Sequence, residues 1–275
     1  MKNNFLLIYD DHCPFCSWYS RQFVQRNLLP ADGRTAFSAL DAETLQKIDF
    51  DRARNEIPLV DRHDNKVYYG VDALLEILGP RFPHISSLAR RRPFYFFFKK
   101  LYRLISYNRK VIVAKPCCSG RINCAPILNY PYRFLFLLLT LCFNTLLLFP
   151  LNKLIFSPLA GHVISGAQIQ CIHFAIVACN CFLAIGLSRL KAMEYIGQIN
   201  MLALLTIVML MPLLLLCAFF TIPLFLTTTY LGIVTVFVFR EYLRRMDYAG
   251  IINHHRWIAA INLATITALL LFLFI

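Results

Sequence analysis

Phe5-Leu6-Leu7-Ile8-Tyr9-Asp10-Asp11-His12-Cys13-Pro14-Phe15-Cys16 is the stretch that decides the fold of the amino-terminal part of this chain. Its first five residues are a short apolar run rich in strand formers, and the Asp-Asp-His-Cys-Pro segment behind them has the chemistry of a turn into a helix. A strand, a loop and a helix beginning near Cys13 are therefore predicted. That placement sets a CxxC pair where unpaired backbone N–H groups and the positive end of the helix dipole stabilise a thiolate. Cys13 is the expected attacking thiol. Cys16, one turn further on, is the expected resolving thiol. The pair carries the chemistry itself, and no cofactor is called for.

Working outward, Trp18, Phe23 and Val24 recur at helical spacing until Pro30 and Gly33 interrupt the pattern. Thr35 to Leu40 reads as a second strand, followed by a helix from Ala42 to Ile48. Ile57-Pro58-Leu59-Val60-Asp61 and Lys66-Val67-Tyr68-Tyr69-Gly70 flank a turn at Arg62-His63-Asp64-Asn65, which makes a β-hairpin, and Asp72 is placed to cap a helix through Ile77. The sum, βαβα-ββα, is the thioredoxin order. Pro58 stands just before a strand, where thioredoxin-like folds set a cis-proline facing the CxxC pair, and a cis Pro58 is expected.

The run Tyr9-Asp10-Asp11-His12-Cys13-Pro14-Phe15-Cys16 resembles the signature of the DCC family of thioredoxin-like thiol-disulfide oxidoreductases, with Asp10, Cys13 and Cys16 matching position for position. The resemblance extends to Val67-Tyr68-Tyr69-Gly70-Val71-Asp72-Ala73 and to Tyr102-Arg103-Leu104-Ile105-Ser106-Tyr107-Asn108-Arg109, and covers residues 4 to 112. It implies a thiol-exchange site made by Cys13 and Cys16, supported by Asp10, Pro14 and Pro58. The family usually has Gly after the Asp. Here Asp11 stands there, an added carboxylate that would oppose thiolate formation.

The rest of the chain is of another kind. Of 275 residues 58% are apolar, too much for an ordinary soluble domain of that length. Residues 1 to 85 hold ten Lys/Arg and twelve Asp/Glu, whereas residues 86 to 275 hold eighteen Lys/Arg and three acids, so the net charge of +13 belongs to the second part. Five apolar stretches are each long enough to cross roughly 30 Å of hydrocarbon: Phe134 to Leu151, Ile169 to Leu187, Met201 to Phe220, Ile222 to Phe239 and Trp257 to Ile275. No charged residue lies between Glu194 and Arg240, so a tight reversal is expected at Thr221-Ile222-Pro223. The expected architecture is an α/β thioredoxin-like domain over residues 1–90, a basic aromatic juxtamembrane segment over 91–132, and an all-α transmembrane bundle of about five helices over 133–275.

Basic residues assign the sides. Arg133, Arg189, Lys191, Arg240, Arg244, Arg245 and Arg256 flank one surface and only Lys153 the other, which puts the amino terminus inside and the carboxyl terminus outside. Residues 1 to 11 carry too short an apolar run for a secretory signal, so the expectation is a multi-pass protein of the plasma (inner) membrane with a cytoplasmic amino-terminal domain. Trp257 and Tyr195 suit interface positions. Between Arg90 and Arg133 there are eleven Lys/Arg and no acid, interleaved with Phe94, Tyr95, Phe96, Phe97, Phe98, Leu101 and Tyr102. This segment reads equally as a basic amphipathic helix on an anionic lipid surface and as a solvated helix packing its aromatics on the core, and both can hold at different positions. Charge clustered beside apolar runs favours headgroups over nucleic acid as the partner; a protein or a small thiol is the expected redox partner.

Further candidates stand beside the CxxC pair. Cys117, Cys118 and Cys124 lie in a basic loop before the first span, either as free thiols or as a second exchanging site, and with His12 they raise a zinc alternative that lacks a second CxxC. Cys142, Cys171, Cys179, Cys181 and Cys217 sit inside apolar stretches and read as small buried hydrophobes, with Cys179 and Cys181 on different helix faces. Asn144, His173 and Asn180 are polar at membrane depth; His173 and Asn180, seven apart, share a face, and all three fit interhelical hydrogen bonding better than a quinone or haem site. No glycine-rich phosphate loop, HExxH or nucleophile elbow is present. Two functions follow: a membrane-anchored thiol-disulfide oxidoreductase, or a transport or scaffold protein whose thioredoxin-like domain docks or regulates.

Overall fold

A computed structural model describes residues 4–115 and 126–274. The chain divides into two compact units, Met1–Arg133 and Phe134–Ile275.

The first unit is built on a mixed four-stranded sheet in the order β2-β1-β3-β4. Strand β1 (Phe5–Tyr9) leads into α1 (Pro14–Gln25) and returns as β2 (Arg34–Ala36), which runs parallel to β1 with Ile8 opposite Thr35. After a short 3-10 turn (Phe37–Ala39), α2 (Ala42–Lys47) and α3 (Phe50–Ala53), the hairpin β3 (Pro58–Asp61) and β4 (Val67–Tyr69) joins antiparallel, with Leu6 opposite Val60 and Leu59 opposite Tyr68. The central strand is an uninterrupted apolar run because both its faces are covered. Leu7 packs with Leu29, Leu59, Ala73 and Ile77 on one side, and Ile8 with Phe37, Ile48, Val60 and Tyr69 on the other. The strand predicted over Thr35 to Leu40 thus ends at Ala36, where the chain turns in to bury Phe37.

Helix α4 (Val71–Leu78) is capped by Gly70 and not by Asp72. Gly70 adopts φ 58° and ψ −120°, a conformation open essentially to glycine alone, and a Cβ there would meet the Tyr102 ring at 3.1 Å. The Asp72 carboxylate is instead an acceptor for the Tyr95 hydroxyl at 2.9 Å. Helices α5 (Pro83–Ala89) and α6 (Arg92–Val113) follow. One face of α6 belongs to the core of this unit: Tyr95 and Tyr102 pack on Val71, Ala89 and Leu75, and the buried Ser106 hydroxyl donates to the Asn55 carbonyl. Phe94, Phe97 and Phe98 of the same helix are exposed.

The second unit contains helices long and apolar enough to cross a membrane, five of them among the described residues: Tyr130–Ala160, Gly166–Ile185, Arg189–Phe219, Leu224–Tyr248 and Arg256–Leu273. They comprise α7 (Tyr130–Leu151), continued through a π turn into α8 (Ser157–Ala160), then α9 (Gly166–Ile185), α10 (Arg189–Phe219), α11 (Leu224–Tyr248), a turn of helix α12 (Ile251–His254), and α13 (Arg256–Phe274). The break between α10 and α11 falls at 220–223, as the reversal at Thr221-Ile222-Pro223 requires. Polar side chains tie the helices together. The Asn180 carbonyl oxygen on α9 accepts from the Tyr195 hydroxyl on α10 and from the Asn262 amide on α13, each at 2.6 Å. Tyr195 is fully buried, with its hydroxyl spent inside the bundle, while Trp257 is half exposed. Asn180 and His173 do not work as a pair, because the nearest polar partner of His173 is the Thr145 hydroxyl at 3.5 Å. Asn144 is buried on α7, its amide without a hydrogen-bond partner among the described residues. Cys142, Cys171 and Cys181 face outward, correcting their reading as buried, because the outside of an apolar bundle accepts small apolar side chains as readily as its core. Cys179, on another face of α9, donates to the Thr265 hydroxyl at 3.6 Å.

Candidate active site at the start of helix α1

Cys13 is the residue before α1, extended at φ −94° and ψ 107°, and Pro14 occupies the first helical position, where its missing N–H is no loss. In that position the Cys13 sulfur takes the place of a capping oxygen: it accepts the backbone N–H of Cys16 at 3.4 Å. The loop before it is held from both sides. The Cys13 N–H donates to the Asp10 carbonyl at 3.2 Å, and the Asp10 carboxylate accepts the His12 N–H at 3.0 Å. Both cysteines are 6% exposed.

The second oxygen of Asp10 meets a group that sequence reading passed over as a site residue. Arg109, on the core face of α6, reaches it with Nη2 at 3.0 Å. Asp10 and Arg109 are both largely buried, and the guanidinium acts on both thiols. Burial works against its charge, but Cys16, Asp10 and Cys13 together hold Arg109 more firmly protonated than a free arginine.

The two thiols are driven in opposite directions. Cys13 is lowered from 9.0 to about 7, chiefly by its side-chain hydrogen bond with Cys16, then by the Cys16 N–H and the Arg109 charge, against burial and the Asp10 carboxylate. Cys16 is pushed up by the bond to Cys13 and by burial, with Arg109 working the other way. The Asp11 carboxylate turns to the Ser38 hydroxyl, which donates to it at 2.8 Å, and the charges that bear most on Cys13 are those of Arg109 and Asp10.

A cavity of about 300 Å³ opens beside the pair, lined by Phe15, Cys16, Tyr19, Pro58, Tyr102 and Arg109 among others. Its walls are mostly apolar, and burial raises the pKa of Tyr19 and Tyr102, which keeps both phenols protonated near neutral pH. The Tyr102 hydroxyl is fixed as acceptor of the Ile57 N–H at 2.8 Å, immediately before Pro58. Pro58 thus faces the site across the cavity, but through a trans peptide, since no cis bond occurs among the described residues. The Ile57 carbonyl accepts the Gly70 N–H at 2.9 Å. On the outer side, Phe15 and Trp18 stack with ring centroids 6.2 Å apart and are 50% and 59% exposed. Trp18 is therefore an exposed neighbour of the site and not part of the core.

The structure thus gathers Asp10, Cys13, Pro14, Cys16 and Pro58 at one place and adds Tyr19, Tyr102 and Arg109. Asn144, His173 and Asn180 belong to the other unit. Cys117, Cys118 and Cys124, and with them the zinc alternative that enlists His12, lie outside the described residues; among the described ones no group of three His, Cys, Asp or Glu is arranged to hold a metal. Two signals for Arg109 stood in the sequence: it closes the family-like stretch Tyr102 to Arg109, and, seven residues from Tyr102, it falls on the same helix face.

Residues 7–115 match the family described as DCC1-like thiol-disulfide oxidoreductase. The match is under half of the chain, and comparison with curated proteins and with solved structures found no relative. The DCC1-like segment begins within β1 and ends just past α6, so it contains both the CxxC pair and the arginine that α6 delivers to it. Joined to five helices of membrane-crossing length, it makes the chain a multi-pass, membrane-associated redox protein.

Proposed function

We propose that the protein exchanges disulfides at the cytoplasmic surface of the plasma (inner) membrane, with Cys13 attacking and Cys16 resolving. The thiolate of Cys13 attacks one sulfur of a substrate disulfide, forming a mixed disulfide and expelling the other sulfur as a thiolate that takes a proton from solvent. Cys16 then gives up its proton and attacks the Cys13 sulfur; a Cys13–Cys16 disulfide forms and the second substrate thiol leaves. Two electrons pass from the pair to the substrate, and an oxidised pair meeting a dithiol runs the same steps backward.

The observation that carries this reading is the seat of the Cys13 sulfur, which caps the start of α1 by accepting the Cys16 N–H at 3.4 Å near the Arg109–Asp10 pair, an arrangement that lowers Cys13 to about 7 while Cys16 is pushed up. A merely structural pair of buried cysteines has no need of a capping N–H and a helix start at one sulfur and a buried guanidinium acting on both. Placement on the cytoplasmic side rests on the basic residues at the helix ends: Arg133 near the start of α7, Arg189 and Lys191 at the start of α10, and Arg244 and Arg245 at the end of α11 share one surface if the spans alternate.

The test is covalent trapping with the full chain in its membrane. Cys16→Ser should accumulate reductant-sensitive adducts on Cys13, and Cys13→Ser with Cys16→Ser should carry none there. An inserted Cys16→Ser protein that never acquires an adduct on Cys13 would remove the exchange mechanism.

A further inference from the structure

Helix α6 presents two faces. Tyr95, Tyr102, Ser106 and Arg109 point into the first unit, as described above. Phe94, Phe97, Phe98, Leu101 and Ile105, at intervals of three, one, three and four residues, form a second stripe along the helix, and each is exposed, Phe97 to 59%. The adjoining α5 adds exposed Ile85 and Leu88, with Phe82 exposed just before it. Soluble proteins rarely leave so continuous an apolar strip in water.

The charges beside the strip are of one sign. From Arg90 to Arg133 the chain has no acidic residue. Arg90, Arg103 and Arg109 are engaged with Glu76, Glu56 and Asp10 of the same unit. Arg91, Arg92 and Lys100 are exposed, and the Lys99 and Lys100 ammonium groups lie over the Tyr95 and Phe96 rings at 5.5 and 5.3 Å. Aromatic rings flanked by lysines and arginines, without acids, suit the boundary between lipid chains and anionic headgroups.

Position points the same way. The first turn of the first membrane-length helix is bonded to α6: Asn108 Nδ2 donates to the Tyr132 carbonyl at 3.1 Å, and the Tyr107 and Tyr132 rings stack at 5.1 Å. The helix that carries the apolar stripe is thus bonded, within the first unit, to a residue two positions before the long apolar run that begins at Phe134. We propose that the exposed stripe of α6 lies in the anionic headgroup layer of the membrane, with Phe94, Phe97, Phe98, Leu101 and Ile105 inserted and the neighbouring cations on lipid phosphates. This surface is independent of the thiol chemistry and stands or falls apart from it.

The experiment uses the full chain, one copy per lipid nanodisc, with Trp18→Phe and Trp257→Phe so that a single introduced tryptophan reports. Phe97→Trp in discs of phosphatidylcholine and phosphatidylglycerol should lose about half or more of its emission when the lipid chains are brominated near the glycerol, as expected for a side chain at that shallow depth. Gln46→Trp on α2, an exposed control, should not be quenched. The loss should shrink when phosphatidylglycerol is omitted and when Lys99→Glu and Lys100→Glu are combined with the reporter. Equal emission of Phe97→Trp in brominated and ordinary lipid overturns the proposal; so does quenching that appears only with two copies per disc, which assigns the stripe to a second chain, or shielding that appears only in native membranes, which assigns it to another protein. Folding of each variant is checked by an unchanged pH profile of Cys13 alkylation.

Discussion

Replacing Arg109 tests the electrostatics of the site directly. The Cys13 thiol lies about two units below its ordinary value, and at 1.36 kcal/mol per unit this corresponds to about 2.7 kcal/mol in favour of the thiolate. Arg109 supplies a part of that, behind the hydrogen bonds from Cys16. A neighbouring opposite charge moves an acid by about one to three units, and the Asp10 partner at 3.0 Å places Arg109 at the low end of that range. Arg109→Gln should therefore raise Cys13 by about one unit, or about 1.4 kcal/mol, and leave the Asp10 carboxylate opposing the thiolate without its counter-charge. At pH 7 the ionised fraction falls from about one half to about one tenth, so alkylation by iodoacetamide slows about fivefold. The assay is rate against pH on the reduced full chain, with the modified cysteine located by mass spectrometry. Arg109→Lys keeps the charge and should stay closer to the native profile. A midpoint for Arg109→Gln within about 0.3 unit of the native one, or below it, refutes the assignment of Arg109 to the thiolate.

Two other outcomes follow from the same coordinates. Because the folded pKa of Cys13 is depressed, to about 7 against 9.0, the native state binds fewer protons there than the unfolded state between those values, and the first unit of the reduced protein should gain stability as pH rises from about 7 to 9. The gain, bounded by about 2.7 kcal/mol, should be read in the hydrogen exchange of β1 and β3 amides corrected for intrinsic rates, and should vanish in Cys13→Ser; a native profile as flat as that of the variant would contradict it. In the bundle, Asn180→Leu removes the acceptor shared by Tyr195 and Asn262 and should cost about 1–2 kcal/mol of resistance to denaturing detergent, at about 0.6 kcal/mol or more per interhelical bond. It should leave the alkylation of Cys13 untouched, and an unaltered detergent midpoint would show that the trio is not what joins α9, α10 and α13.

The opening of the fold was legible because local chemistry decides it. Phe5 to Tyr9 is a strand buried on both faces, and Cys13-Pro14 is a helix start whatever packs around it. Pro58 was placed correctly at the start of β3, but the groups that hold Ile57 before it, the Gly70 N–H and the Tyr102 hydroxyl, are not local. Asp72 looked like a cap for the same reason: the Tyr95 hydroxyl that occupies its carboxylate comes from α6. Arg109 was hidden in a segment of eleven cations, and only the packing of Tyr102 and Ser106 shows which face of α6 turns inward. In the bundle, composition and length locate helices, because hydrocarbon thickness is a property of the solvent and not of the chain. Which polar side chains meet is set by helix rotation, so Asn180 could not be paired with Tyr195 and Asn262 from spacing alone.

The bond from Asn108 to the Tyr132 carbonyl gives the end of α6 two duties on adjacent residues. Asn108 holds Tyr132, and Arg109, the next residue, holds Asp10 beside the thiols. A strain that turns the end of α6 therefore moves the guanidinium as well, and the ionisation of the sulfur at position 13 becomes a gauge of how that helix is seated.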